Sequence, residues 1–217
     1  MTRPVRDKRR RGHLARAFVF GTVLFLAGCA SSPKGEVVIR PSPPTQPTHQ
    51  VVGEAIIASV GGAAVTVQWL PAPGIEQFYV GKPGLVNPFP QEDWKETPPT
   101  IFFVRVRNQT PETVQFDPTL VSLVTQRGRR ERPMSYEEMY MRLSEVEGTS
   151  ARLRSLEATL LSRFVVLQPG GQRDGLLVFP TLDPDAKHLS LEFASFFIGG
   201  RAVPSLFEFQ VLRQETP

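Results

Sequence analysis

Short runs in which apolar and polar residues alternate, divided by glycine and proline, dominate the chain from residue 51 onward and limit the folds open to it. In 100–108, Phe102, Val104 and Val106 share one face of a strand. The predicted strands are 51–59, 63–70, 100–108, 113–116, 119–126, 163–167, 175–180, 188–197 and 204–213. Short strands joined by turns pack as antiparallel sheets that each bury one face. We therefore expect one mainly β domain over 51–217, an antiparallel β-sandwich.

The segment from Pro133 to about Ser162 has the residue spacing of helices instead. Ser135 and Glu138 fit a capping box at a helix start, and Gly148 is typical of a helix end. The apolar stripe of this first helix comprises Tyr136, Met139, Tyr140, Leu143 and Val146. A second helix is expected over roughly 150–161. The sequence thus predicts a helical hairpin, inserted at about 134–162, that covers one face or end of the sandwich.

The first 28 residues have the three-part plan of a secretory signal peptide. A basic region is followed by an apolar run over 17–27 and then by small residues. A helix formed by that run is too short to cross a hydrocarbon core, which needs roughly 20 residues. We therefore expect 1–28 to be a signal peptide that is removed on export.

The residues Leu26-Ala27-Gly28-Cys29 resemble the lipobox of bacterial lipoproteins, and Cys29 is the only cysteine in the chain. The resemblance implies that diacylglycerol is attached to Cys29, that the chain is cleaved before it, and that the new amino terminus receives a fatty acid such as palmitate. Several acyl chains anchor a protein stably, whereas one binds only marginally. Because Ala30 rather than aspartate follows, the resemblance favours the outer membrane, with the domain facing the periplasm.

The charge of the mature chain differs from that of the precursor. The precursor has 25 Lys and Arg against 21 Asp and Glu. Seven of those bases and one acid lie in 1–28, so the mature chain keeps 18 bases and 20 acids, a net charge of −2. It also lacks the basic patch with interleaved aromatic residues that a nucleic-acid binder needs. We predict no nucleic-acid partner.

Residues 29–50 are rich in proline, serine, threonine and glutamine and offer few apolar side chains to bury. This composition is typical of an extended, semi-rigid polyproline linker. At about 3.1 Å per residue, such a linker would hold the domain on the order of 60 Å from the bilayer. We expect 29–50 to be the lipidated cysteine and a proline-rich tether.

Two stretches resemble the immunoglobulin-like domains of secreted bacterial lipoproteins. The first is 100–116, in which a strand ends in Asn108 and Thr110. The second is Leu167-Gln168-Pro169-Gly170-Gly171 with the strand 175–179 that follows. The resemblance implies an immunoglobulin-like sandwich that the helical insert interrupts. It implies no activity, because many such domains have no assigned function.

Catalytic and metal-binding patterns are missing from the mature sequence. His188 is the one histidine in 51–217, and no nucleophile motif accompanies it. Asp183 and Asp185 fit a turn rather than a calcium site, which needs further oxygen ligands at fixed spacing. Met139 and Met141 point about 200° apart on a helix, so they would not share a metal ion. We predict no enzymatic activity, no cofactor and no metal site.

The loop 80–99 is long and rich in proline, and it carries Phe89 and Trp94. Long loops in compact domains are often functional, and tryptophan is frequent at binding hot spots. Phe89 and Trp94 are therefore candidate partner-binding residues. The alternative, which the sequence favours slightly, is that Trp94 caps the end of the sandwich.

The membrane anchor, the spacer and the missing catalytic groups together predict a function class. We expect a membrane-anchored envelope lipoprotein that acts without catalysis, as a module that binds a protein partner or assists assembly. The alternative function is a module that binds a small molecule, a glycan or peptidoglycan.

Overall fold

Strands make up most of the regular structure in the computed structural model, which describes residues 36–144 and 148–214. The first seven strands are β1 Glu36–Pro41, β2 His49–Val52, β3 Ala55–Val60, β4 Ala63–Trp69, β5 Thr100–Arg107, β6 Val114–Phe116 and β7 Ser122–Thr125. The next seven are β8 Arg130–Glu131, β9 Val165–Leu167, β10 Gln172–Phe179, β11 His188–Phe193, β12 Phe196–Ile198, β13 Arg201–Ala202 and β14 Ser205–Gln214. The prediction of a mainly β fold is confirmed.

Helices are few and short in the described residues. They are α1 Ala72–Val80, α2 Tyr136–Leu143 and α3 Thr149–Thr159, with a single 3-10 turn at Pro118–Leu120. Among these residues no helix is long and apolar enough to span a bilayer. The two predicted helices correspond to α2 and α3.

The strands form three sheets, and all of their strand pairs are antiparallel. The first sheet has the order β1-β14-β11-β7-β8 and the second the order β10-β5-β4-β3-β2. The third, smaller sheet has the order β13-β12-β6-β9. Neighbours in the sheets are often distant in sequence, so the fold depends on long-range pairing.

The main core lies where all three sheets contribute buried side chains to one apolar cluster. Phe102 of β5 and Phe209 of β14 meet there with ring centroids 5.1 Å apart, which joins the second sheet to the first. Phe116 and Phe196 stack in the third sheet with centroids 5.9 Å apart. Each aromatic ring buries a large apolar area, so these contacts dominate the energy of the core.

A second core covers the opposite face of the second sheet. Because side chains alternate along a strand, Ile101 and Val178 point away from the main core and into this one. The residues that meet them come from the helices and the loop after α1, and include Tyr79, Met139 and Leu156. The helical segment therefore covers one face of the second sheet, as its amphipathic pattern predicted.

Several local predictions are confirmed. Gly61 and Gly62 form the tight turn between β3 and β4, with φ of 55° and 96°, which other residues adopt only with strain. The Ser135 side chain and the Glu138 side chain each bond the other's backbone N–H, as a capping box requires. Gly148 instead stands at the start of α3 in a left-handed conformation. Val146 lies outside the described residues.

The predicted tether is wrong from Glu36 onward. Residues Glu36–Pro41 form β1, which pairs along its whole length with β14, and Ile39 is 2% exposed in the main core. The next residues cross to the second sheet, where His49 begins β2. The proline content of 29–50 favoured a tether over a strand in the prediction. Pro41 is compatible with the strand because it lies at the end of an edge strand, where no ladder hydrogen bond is lost. Residues 29–35, with Cys29, lie outside the described residues.

Other element bounds also differ from the prediction. The expected strand 51–59 is a hairpin, because Gly53, with φ of 60°, turns β2 into β3. The helix α1 was not predicted, since its sequence contains proline and glycine. Pro71 and Pro73 stand at its start, where a missing backbone N–H costs nothing.

Candidate binding cleft

A cleft of about 660 Å³ is a prominent concave feature of the described surface. Residues 133–137 and 160–167 form most of its wall, and Thr119, Glu157 and Arg173 complete the lining. The cleft therefore lies where β9 faces the residues that lead into α2 and out of α3. Clefts of this size are the usual form of ligand sites in proteins.

The cleft exists because β9 and β10 enter different sheets after a four-residue connection. β9 is the edge strand of the third sheet, whereas β10 is the edge strand of the second. The outer edge of β10 is covered by the helical insert, since Leu161 N donates to Leu176 O at 2.9 Å and Met134 N donates to Val178 O at 2.7 Å. The space between these covering residues and β9 remains open.

Two apolar side chains are exposed on the β9 wall. Phe164 is 55% exposed and Val166 is 49% exposed, while Val165 between them packs against the main core. The alternation places Phe164 and Val166 on the same side of the chain. An aromatic and a β-branched residue exposed together in a cleft form the kind of surface that partners cover.

The charges of the cleft are mixed. Arg163 and Arg173 line it together with Glu137 and Glu157. The ion pairs in the described part of the chain involve neither arginine. The start of α2 also borders the cleft, and the capping box there bonds the backbone N–H groups of Ser135 and Glu138.

The cleft lining contains no histidine and no cysteine. The described residues contain no cluster of three or more His, Cys, Asp or Glu side chains that could hold a metal ion. His188 lies exposed at the start of β11, and His49 is buried with its ring 5.2 Å from that of Phe207. Burial raises the pKa of Tyr79 far above its usual range.

Phe89 and Trp94 do not form an exposed binding surface. They are 4% and 6% exposed, and their rings lie 5.8 Å apart in the second core. Trp94 Nε1 donates to Pro88 O at 3.3 Å, and the Arg142 guanidinium lies over its indole ring. The prediction that these residues bind a partner is therefore corrected. The alternative, in which Trp94 caps the end of the sandwich, also differs from the structure, because Trp94 packs in the second core with residues of α2 and α3.

The cleft itself was not predicted from the sequence. Its walls come from segments that are far apart along the chain, and neither Phe164 nor Val166 differs locally from an ordinary strand residue. Tyr136 of the predicted apolar stripe lines the cleft, while Met139 and Leu143 are buried and Tyr140 is 48% exposed. The usable signal was the run 163–167, which has apolar residues on both faces of one short strand.

No protein-family model and no curated protein matches the chain. Among solved structures, the chain is similar to the X-ray structure of Northeast Structural Genomics Consortium target SoR45, with 8% identity, a TM-score of 0.26 and coverage of 86% of this chain and 88% of that chain. A similarity this low carries no argument about function.

Proposed function

We propose that this protein is a lipid-anchored lipoprotein of the bacterial cell envelope that binds a protein partner in the cleft without catalysing a reaction. The observation that carries the binding role is the pair of exposed apolar side chains, Phe164 and Val166, in a cleft of about 660 Å³. Burying such groups against a partner is favourable by roughly 25 cal/mol per Å² of apolar area.

Support for the anchor comes from the sequence. The resemblance of Leu26-Ala27-Gly28-Cys29 to a lipobox, after a basic and an apolar segment, indicates export and lipidation of Cys29. Ala30 favours the outer membrane, with the domain in the periplasm. The anchor would hold the cleft close to other envelope proteins, which suits a role in assembly.

The proposed architecture is an immunoglobulin-like sandwich with a helical insert. It is supported by two five-stranded antiparallel sheets that share one core. Asn108, in the motif that carries the resemblance, links the end of β5 to β9 through its side chain. The departure from a plain sandwich is the helical layer on the second sheet.

The edge position of β9 favours a protein segment as the occupant. An edge strand keeps backbone N–H and C=O groups without a neighbouring strand, and an extended peptide can pair with them. The side chains of such a peptide would meet Phe164 and Val166.

A small molecule, a glycan or peptidoglycan is the second candidate ligand. The volume of the cleft, about 660 Å³, lies within the range of ligand pockets, and Tyr136, Arg163 and Arg173 supply an aromatic ring and two cations. Saturable binding of purified peptidoglycan, together with a ligand-induced rise in Tm, would favour this candidate over a protein partner.

The first experiment is crosslinking in cells of the intact protein, followed by mass spectrometry, with Cys29→Ala as the unanchored control. We expect a stoichiometric envelope partner that is lost in the control. Recovery of the same partner from the Cys29→Ala variant would argue that the anchor has no part in the interaction.

The cleft is tested by the double variant Phe164→Ser with Val166→Ser. Its matched control is Val80→Ser with Met141→Ser, because those side chains are 74% and 66% exposed and do not line the cleft. We expect the partner to be lost from the first variant and kept by the second. Retention of the partner by both variants would remove the cleft as the binding site.

A further inference from the structure

The strand β1 begins only a few residues after Cys29, and this short connection limits the orientations that the domain can take on a membrane. Only residues 30–35 separate Cys29 from Glu36, the first residue of β1. Seven residue steps span at most about 25 Å when fully extended, whatever conformation they adopt. This inference rests on the proposed lipidation of Cys29. Given that anchor, Glu36 lies within about 25 Å of the lipid surface.

The end of the domain that contains Glu36 can be identified from the strand register. Glu36 pairs with Gln214, and Arg213 donates to the backbone oxygens of Asp183 and Ala186, just before β11. The turn between β7 and β8 lies at this end of the first sheet, because Thr125 pairs with Leu189. In the second sheet, the turn Gly61–Gly62 lies beside Ile198 and Val203, close to the far end of β14, so the turn between β2 and β3 lies at the end nearer Glu36. We call this the anchor end, and its surface residues include Glu36, Glu54, Arg127, Lys187 and Arg213.

The opposite end of the domain is beyond the reach of the linker. The strand β14 runs from Ser205 to Gln214, and ten residues in a strand extend about 30 Å. A domain that rested on its opposite end, with β14 perpendicular to the bilayer, would hold Glu36 about that far from the lipid surface. Since about 30 Å exceeds the reach of about 25 Å, this upright inverted orientation is excluded.

The surface of the anchor end suits shallow contact with lipid headgroups. Val51 and Val52, beside the turn between β2 and β3, are 41% and 56% exposed, and Leu212 is 40% exposed. Arg127 is paired with Asp185 and Arg129 with Asp183, so two of the cations there already have a carboxylate partner. The contact would combine the anchor with these apolar side chains.

We propose that the anchor end lies on the bilayer surface and that the opposite end, which carries the turn Gly61–Gly62, projects away from it. The cleft lining extends along β10, from Arg173 near the start of that strand to Met134, which bonds Val178 near its other end. The cleft therefore lies on the side of the domain, between the two ends.

The test compares two single-cysteine variants of the lipidated full-length protein in vesicles of phosphatidylethanolamine and phosphatidylglycerol. Glu54→Cys places a thiol at the anchor end, and Arg201→Cys places one at the opposite end, beside Ile198, which Gly61 approaches. A fluorescent donor is attached to each thiol, and the lipid headgroups carry the acceptor. The thioether at Cys29 leaves the introduced thiol as the site of labelling.

We expect a greater loss of donor fluorescence at Glu54→Cys than at Arg201→Cys. Inserting about 40 glycine and serine residues between Ser32 and Pro33, a linker with a mean length of about 35 Å, should reduce this difference. Equal transfer at both sites, or greater transfer at Arg201→Cys, in a vesicle-bound protein would overturn the proposed orientation. Failure to bind vesicles, together with a reactive Cys29 thiol, would instead refute the lipid anchor.

Discussion

Asn108 is a fully buried polar residue whose side chain holds the second sheet to the wall of the cleft. Its Nδ2 donates to Glu112 O at 2.7 Å and to Leu167 O at 3.0 Å. Its Oδ1 accepts from Thr110 N and from Thr110 Oγ1. Since the hydrogen bond to Leu167 reaches the last residue of β9, this one amide fixes the strand that carries Val166. The Asn and Thr of the sequence motif thus have a structural role at this corner.

Replacing Asn108 by aspartate tests that role with almost no change in shape. The Asn108→Asp variant keeps the acceptor for Thr110 but removes the donor to the buried Leu167 O and places a carboxylate beside it, while Glu112 O keeps the Thr110 Oγ1 donor. We expect a loss of about 3 kcal/mol in the free energy of unfolding, measured by urea denaturation of the unlipidated Cys29→Ala form. The control is Asn87→Asp, in which the lost donor bonds only the exposed Glu76 carboxylate. An equal loss in both variants would contradict the assigned role.

Tyr79 is the other buried polar group with a measurable consequence. Thr159 Oγ1 gives its proton to Ser155 O at 2.7 Å, so the Tyr79 hydroxyl, 2.8 Å from Thr159 Oγ1, is the donor between them. Burial raises the pKa of the Tyr79 phenol, because the anion would lack solvation in the second core. The folded state therefore binds this proton more tightly than the unfolded state does.

The consequence is a loss of stability in alkali. The stabilisation that the Tyr79 proton gives to the folded state is fully present below the unfolded pKa of about 10. Above that pH, the free energy of unfolding falls by up to about 1.4 kcal/mol per pH unit. We expect Tyr79→Phe to cost about 1 kcal/mol at neutral pH and to flatten the fall in alkali. The exposed Tyr140 gives the control variant, Tyr140→Phe. The measurement is the free energy of unfolding from pH 8 to about pH 11. If both variants lost stability with pH as steeply as the parent chain, Tyr79 would not be the group responsible.

At the scale of elements, β1 is the feature in which the structure departs most from the sequence prediction. The strand is an edge of the first sheet, and its partner β14 is the last strand of the chain. The composition of 29–50 describes only local preference, whereas pairing with β14 supplies backbone hydrogen bonds and a place for Ile39 in the core. Long-range pairing therefore overrides a sequence that is locally typical of a linker.

The status of β1 is tested by Ile39→Ala. Because Ile39 is 2% exposed, we expect the substitution to lower the free energy of unfolding by about 3 kcal/mol. Arg40→Ala, at the exposed neighbouring position, serves as the control and should change stability little. Identical urea midpoints for Ile39→Ala and the parent chain would show that Glu36–Pro41 is part of a tether and not a strand of the core. The limit on the distance between Cys29 and the domain would then no longer hold.

The elements that were predicted correctly are those fixed by local chemistry. The turn Gly61–Gly62 needs positive φ, and the capping box of α2 needs only Ser135 and Glu138. The two faces of β5 follow from its alternation alone. The cleft depends on which sheet β9 and β10 each join, and no local pattern encodes that choice. Phe89 and Trp94 were misassigned because their burial depends on helices that pack over their loop.

At the scale of the whole molecule, the second sheet is shared by two cores. Neighbouring residues of β5 and β10 point in opposite directions, so Phe102 packs in the main core while Ile101 packs under the helices. A shift of either strand by one residue would move its side chains out of both cores, so the two cores depend on one register. The helical layer and the facing sheets are therefore expected to unfold together.

The two tryptophans allow this coupling to be measured, because each reports one core. Trp69 packs against the main core, and Trp94 is buried in the second. The variant Trp69→Phe leaves Trp94 as the fluorescent reporter, and Trp94→Phe leaves Trp69. For each variant, we expect the fluorescence transition in urea to coincide with the transition in far-ultraviolet circular dichroism. If the Trp94 signal changed at lower urea than the circular dichroism did, the helical layer would be a separate unit. The cleft wall that the layer forms could then open while the sheets stayed folded.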